Sequence, residues 1–128
     1  MTVSRRANPA EWDIEMLIEA LGNLDNRARA GALSVFAHHL TVEARLLLSE
    51  GAVDQPIIGR VRTINEFEHH LTSRLHPDGL RSAGGDMSLL RDIADDAARC
   101  GLSAAVKRGL VIAVQNALLA AKKPVAAH

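Results

Sequence analysis

Aromatic residues are almost missing from this sequence, which has one tryptophan, two phenylalanines and no tyrosine among 128 residues. The hydrophobic fraction is nevertheless 48%, so the core has to be built from leucine, isoleucine, valine and alanine. Aliphatic cores rich in leucine and alanine suit helices that pack closely against one another, whereas sheets usually also contain many aromatic residues. The composition therefore predicts an all-α protein.

An excess of charge is also missing, because 15 lysines and arginines balance 15 aspartates and glutamates. Proteins that bind nucleic acid usually carry a basic excess or a basic stripe, so we expect no nucleic-acid partner. A net charge near zero leaves little electrostatic repulsion between copies of the chain, which favours self-association.

Cysteine occurs once, at Cys100, so an internal disulfide is excluded and an oxidising compartment is not implied. No apolar segment follows Arg5 and Arg6 as it would in a signal peptide. The longest uncharged apolar run, 109–121, is shorter than a membrane-spanning helix requires. We therefore expect a cytoplasmic protein without a membrane partner.

Five stretches have the apolar spacing of helices, and they form a compact bundle. The first begins at Asn8-Pro9, an N-cap followed by proline at the first helical position, and runs to about Leu21. The others are expected at roughly 25–50, 54–75, 86–100 and 103–123. The second and third form a long antiparallel hairpin, and the turn signal His76-Pro77-Asp78-Gly79 follows it. Residues 81–86 are expected to be a flexible connection. We predict a single domain over 8–123, with flexible tails at 1–7 and 124–128.

Polar residues interrupt the apolar faces of both hairpin helices. The face of the second helix comprises Ala28, Ala32, Val35, His39, Val42 and Leu46. The face of the third comprises Ile57, Val61, Ile64, Glu68, Leu71 and Leu75. A charged or polar group facing a core requires a polar partner. We therefore predict a polar network that fixes the register of the helices, formed by His38, His39, Asn65, Glu68 and His69.

A metal site is the alternative interpretation of the same residues. His39 and Glu43 are four residues apart on the second helix, and Glu66 and His70 are four apart on the third. Bundles bind metal ions through inward-facing Glu and His residues of adjacent helices, so these four side chains are candidate ligands of a divalent metal. The di-iron pattern is incomplete, because Glu-x-x-His occurs once, at Glu66 and His69, and the zinc signature His-Glu-x-x-His is missing.

Arg62 and His69 are separated by six residues on the third helix. This spacing resembles the motif of the HEPN family of helical nucleases, in which an arginine and a histidine are four to six residues apart. The resemblance covers one helix, and Thr63 follows the arginine where that family usually has an amide, an acid or a histidine. It implies that Arg62 and His69 act on RNA at a dimer interface. The other interpretation is a chance spacing on a solvated helix face.

The last helix is apolar nearly all round from Gly109 onward, which is typical of a helix in the centre of a bundle or in a subunit interface. We predict that Leu110, Val114 and Leu118 contribute to a helix–helix interface, within the chain or between chains. Trp12 either packs at the edge of the bundle or anchors a partner.

No grouping of residues predicts catalysis, and no phosphate-binding loop is present in the sequence. We therefore expect a small non-enzymatic interaction or regulatory protein that forms a homodimer and needs no cofactor. The alternative is a metal-binding or hydrolytic bundle that uses the His and Glu residues of the central hairpin.

Overall fold

A computed structural model describes residues 8–50, 54–75 and 81–122. Within these residues the protein is all-α, as the composition predicts: a short 3₁₀ turn at Pro9–Glu11 precedes five α-helices. The helices are α1 (Ile14–Gly22), α2 (Asn26–Ser49), α3 (Gln55–Arg74), α4 (Ala83–Cys100) and α5 (Ser103–Lys122). The predicted tails at 1–7 and 124–128 and the predicted turn at 76–79 lie outside the described residues.

Short polar side chains begin four of these helices. Each accepts a hydrogen bond from the backbone N–H three residues later, which satisfies one of the free donors at a helix start. These N-caps are Asp13, Asp25, Asp54 and Ser82. A neighbouring residue also determines where α4 ends. Gly101 has a φ of 72°, a left-handed conformation that glycine adopts without strain and that stops the helix.

Two predicted helix starts are wrong. Asn8 caps only the 3₁₀ turn, since Trp12 is extended and Asp13 starts α1 as a separate helix. Residues 83–86 are not a flexible connection, because Ser82 caps α4 and places Gly84 and Gly85 inside its first turn. In both cases a short polar side chain caps the helix at a position other than the predicted start: Asp13 caps α1, and Ser82 caps α4.

Helix α2 is the centre of the fold and packs between α3 and α5, an arrangement compatible with the predicted hairpin. Because it has neighbours on both sides, its buried face is rotated from the predicted one, and Ala28 and Leu46 are exposed. The buried residues are Arg29, Ala32, Leu33, Phe36, Ala37, Leu40, Glu43 and Ala44. On α3 the buried residues are Ile64, Phe67 and Leu71, while Glu68 is only half-buried.

Helix α5 approaches α2 closely at Gly109. A Cβ on this residue would lie 2.8 Å from Cδ1 and 2.9 Å from Cε1 of Phe36, whose ring is fully buried. By length and composition, Ser103–Ala121 is also a candidate membrane span, but core helices share these properties. Here Leu110 and Val114 pack in the core of the bundle.

One buried carboxylate joins three parts of the chain. Asp86, at the start of α4, is 0% exposed. Its Oδ2 accepts from Nε of Arg29 at 2.6 Å and from Nη2 of Arg81 at 2.8 Å, and its Oδ1 accepts from Nε of Arg74 at 2.6 Å. We call these four residues the Asp86 cluster. It ties α2 and the end of α3 to the first turn of α4.

The arginines of the Asp86 cluster keep the carboxylate charged despite its burial. Burial by itself raises the pKa of Asp86, but hydrogen bonds from Arg29 and Arg74 and the charge of Arg81 outweigh it and hold the pKa below its ordinary value. Arg29 is itself buried, and its Nη1 donates to the carbonyl of Leu24 at 2.7 Å. The charges in this interior are thus paired and hydrogen-bonded, which is the condition for keeping them there.

Candidate functional site

Two surfaces bring together chemically distinctive residues. The first is the side of α3 that faces away from α2. It forms a shallow groove of about 600 Å³, and its lining residues among those that the structure describes all come from α3: Ile58, Val61, Arg62, Asn65, Glu66, His69 and His70. We call it the α3 outer face. The steps of three and four between these residues put them on one side of a helix, opposite the buried Ile64, Phe67 and Leu71.

Most of the α3 outer face is exposed and polar. Arg62, Asn65, Glu66, His69 and His70 are exposed, whereas Ile58 and Val61 are half-buried at one end. No ion pair joins Arg62 or Glu66 to another residue in the described parts of the chain. The face therefore offers both signs of charge, one helical turn apart, beside an apolar end.

The polar network predicted for the core does not form as expected. His38, Asn65 and His69 are exposed and Glu68 is half-buried. His39 is half-buried, and its side chain bonds to Glu43 instead of a residue of α3. The predicted partners across the hairpin are missing because rotation of α2 turns His39 toward α5, whose residues line a cleft with it.

The four candidate metal ligands separate into two pairs. His39 and Glu43 bond to each other at 2.9 Å, and His39 lines a cleft beside α5. Glu66 and His70 lie on the α3 outer face. Among residues 8–50, 54–75 and 81–122, no three His, Cys, Asp or Glu side chains come close enough to hold a metal ion. The structure therefore does not assemble these ligands into one site within the chain.

The second surface is the cleft beside α5, which has a volume of about 400 Å³. The 3₁₀ turn, α2 and α5 meet there, and the lining residues are Ala10, His39, Ala104, Lys107, Arg108, Val111 and Ile112. We call it the α5 cleft. Its polar side consists of His39, Lys107 and Arg108, while the other lining side chains are apolar.

Glu43 is bonded to two of the polar residues that line the α5 cleft, His39 and Arg108. Its side chain is 6% exposed, and it accepts two hydrogen bonds from Arg108, from Nε to Oε2 and from Nη2 to Oε1, both at 2.8 Å. Nε2 of His39 lies 2.9 Å from the same Oε2. The bond from Arg108 lowers the pKa of Glu43 more than burial raises it, and His39 adds to the lowering. Glu43 in turn raises the pKa of Arg108.

This arrangement orients a histidine with a carboxylate, as in catalytic triads. However, none of the described residues lining the α5 cleft is a serine, threonine or cysteine that could act as a nucleophile. The sequence predicts His39 and Glu43 as metal ligands from their helical spacing, whereas Arg108 gives no local signal because it is 65 residues away from Glu43.

The residues predicted for a helix–helix interface fall into two groups. Leu110 and Val114 are buried within the chain, so their contacts are internal. Leu118 is partly exposed, at 36%. Trp12 is half-buried and packs against the core, and its Nε1 is buried without a hydrogen-bond partner among the described residues.

Neutralising Glu43 is expected to flatten the acid dependence of stability. Because its pKa is lower in the folded than in the unfolded protein, the unfolded state takes up more protons in acid. The stabilisation is therefore complete above the ordinary glutamate pKa and is lost as the pH falls through the folded value. Glu43→Gln should lower the free energy of unfolding by about 1 kcal/mol at pH 7, since Arg108 is 58% exposed.

Urea unfolding at several pH values between neutrality and strong acid measures this effect. The wild-type protein should lose more stability on acidification than Glu43→Gln does. Glu15→Gln is the matched control, because Glu15 pairs with Arg91 at 3.2 Å on the surface and exposed pairs contribute little. Identical pH profiles for wild type and Glu43→Gln would contradict the assignment.

Comparisons of this chain with family models, with curated proteins and with solved structures found no match. The resemblance of Arg62 and His69 to the HEPN motif therefore gains no support beyond their spacing and their common position on the α3 outer face.

Proposed function

We propose that this protein is a small helical interaction protein that acts as a homodimer, and that two copies pair through the α3 outer face. One observation carries the proposal: no other described helix covers this face, although it combines half-buried apolar residues with charges of both signs that form no ion pair within the described residues. The near-zero net charge of the chain is consistent with this, because it opposes association only weakly.

Self-pairing fits this face better than pairing with an arbitrary partner, because its charges complement themselves. In a two-fold dimer each contact occurs twice with the roles exchanged. If two α3 helices cross antiparallel about an axis midway between Arg62 and Glu66, Arg62 of each protomer lies opposite the partner's Glu66. Ile58 then lies at the level of the partner's His70. Complementary charges of this kind select the partner and fix the register of an interface.

Charge reversal tests this arrangement. Arg62→Glu and Glu66→Arg should each weaken the homodimer by about tenfold or more, because each variant places like charges opposite each other at two symmetric positions. Mixing the two variants should restore association as a heterodimer, in which every pair has opposite charges again. Sedimentation equilibrium at micromolar concentration measures both results.

Arg45→Glu is the control, because Arg45 is an exposed residue of α2 away from the α3 outer face. It should associate as the wild type does. A wild-type protein that stays monomeric at tens of micromolar would refute the homodimer. A homodimer that Arg62→Glu leaves intact would refute this face as its interface.

A further inference from the structure

We propose that the α5 cleft binds a small organic carboxylate with an aliphatic chain. This is a function separate from self-association, because the described lining residues of the α5 cleft and of the α3 outer face do not overlap. The ligand class follows from three features of the cleft: the cations on its polar side, the carboxylate of Glu43 that is already bonded to Arg108, and the apolar walls.

The polar side of the cleft has two cationic side chains, Lys107 and Arg108, beside the imidazole of His39. Lys107 is half-buried, and no ion pair joins it to any residue in the described ranges. A half-buried ammonium without a carboxylate partner is a favourable contact for an incoming anion, since the surrounding protein weakens solvent screening. The charge of the cleft therefore favours an anion over a cation.

Glu43 does not cancel this preference, because it is already engaged. Both of its oxygens accept from Arg108, and Oε2 also contacts His39. It holds the guanidinium in a fixed orientation while the remaining nitrogen, Nη1, takes part in none of these bonds. Glu50 is the other acid that acts on Arg108, through its charge and without a direct ion pair within the described residues.

The apolar walls indicate the rest of the ligand. Ala10, Ala104, Val111 and Ile112 line the cleft, which has a volume of about 400 Å³. Binding sites for small molecules typically have volumes of roughly 300–1,000 Å³ and combine mostly apolar walls with a few polar groups. An inorganic anion would leave these walls in contact with water. No phenylalanine, tyrosine or tryptophan is among the described lining residues, so a nucleotide base would find no large aromatic ring on which to stack.

The test uses octanoate as the probe, at concentrations below its micelle threshold, with the full-length protein. Titration calorimetry should show one site per chain. The single tryptophan, Trp12, follows the 3₁₀ turn that contributes Ala10 to the cleft, so its fluorescence should respond to binding. Lys107→Gln should weaken octanoate binding by tenfold or more, because it removes the cation that forms no ion pair within the described residues.

Three comparisons separate the features of the proposal. Octanol and acetate should each bind at least tenfold more weakly than octanoate, since one lacks the charge and the other lacks the chain. Arg91→Gln, on the exposed surface of α4, should bind octanoate as the wild type does. Equal affinity for octanol, equal affinity for inorganic phosphate, unchanged binding by Lys107→Gln, or no binding at millimolar octanoate would each overturn the proposal. Circular dichroism of Lys107→Gln confirms that the variant is folded.

Discussion

Asp86→Ala is expected to destabilise the protein by about 3–5 kcal/mol, the cost of removing one partner from a buried ion pair. The carboxylate is fully buried and accepts hydrogen bonds from Arg29, Arg74 and Arg81. Without it, Arg29 stays buried with its positive charge uncompensated. A small domain is stable by roughly 5–15 kcal/mol in total, so this loss is a large part of what holds the fold together.

Chemical denaturation followed by circular dichroism measures this effect. Asp86→Asn is the second variant, because it keeps the shape of the side chain and removes its charge, and it should also lose stability. Asp96→Ala is the matched control on the same helix: Asp96 pairs with Arg99 on the surface, and exposed pairs contribute at most about 1 kcal/mol. If Asp86→Ala unfolded within 1 kcal/mol of the wild type, the Asp86 cluster would not have the structural role assigned to it.

Gly109→Ala is expected to destabilise the protein, because overpacking of a core costs about 1–3 kcal/mol. The added Cβ would lie 2.8 Å from the fully buried ring of Phe36, so the ring or one of the two helices has to move. This cost opposes the gain of about 1 kcal/mol that alanine normally brings over glycine inside a helix. The sign of the net effect is therefore set by the close approach of α2 and α5.

Gly31→Ala provides the comparison. Gly31 lies inside α2, is exposed, and nothing lies within 4 Å of a Cβ placed on it, so alanine should stabilise the protein by up to about 1 kcal/mol. Thermal or urea unfolding of the two variants should thus give changes of opposite sign. Stabilisation by Gly109→Ala would show that α2 and α5 are not in close contact at this point.

Local features of the fold could be predicted from the sequence, since they depend on neighbouring residues. The left-handed Gly101 and the helical phases of α4 and α5 follow from caps and apolar spacing. Scarcity of aromatic residues was enough to indicate an all-α protein. The spacing of four residues between His39 and Glu43 is also a local feature, and their side chains bond to each other, although the sequence predicts them as metal ligands.

The remaining features depend on contacts between distant residues. Arg29 and Asp86 are 57 residues apart, and in the sequence each is typical of a solvated helix face. The predicted buried face of α2 is wrong, because a helix with neighbours on two sides has no single apolar stripe. The predicted face of α3 does not include Phe67, although this residue is buried. The reason is that the regular apolar spacing of three and four residues passes from Ile64 to Glu68, next to Phe67.

The burial of the Asp86 cluster separates the charges that hold the fold together from those proposed to hold two copies together. Mobile ions screen exposed charges over a Debye length of about 8 Å at physiological ionic strength but reach buried pairs far less. Salt should therefore weaken the proposed contacts between Arg62 and the partner's Glu66 while leaving the bonds of Asp86 largely intact. If the proposed homodimer forms, ionic strength is thus a variable that can control its assembly without unfolding the protein.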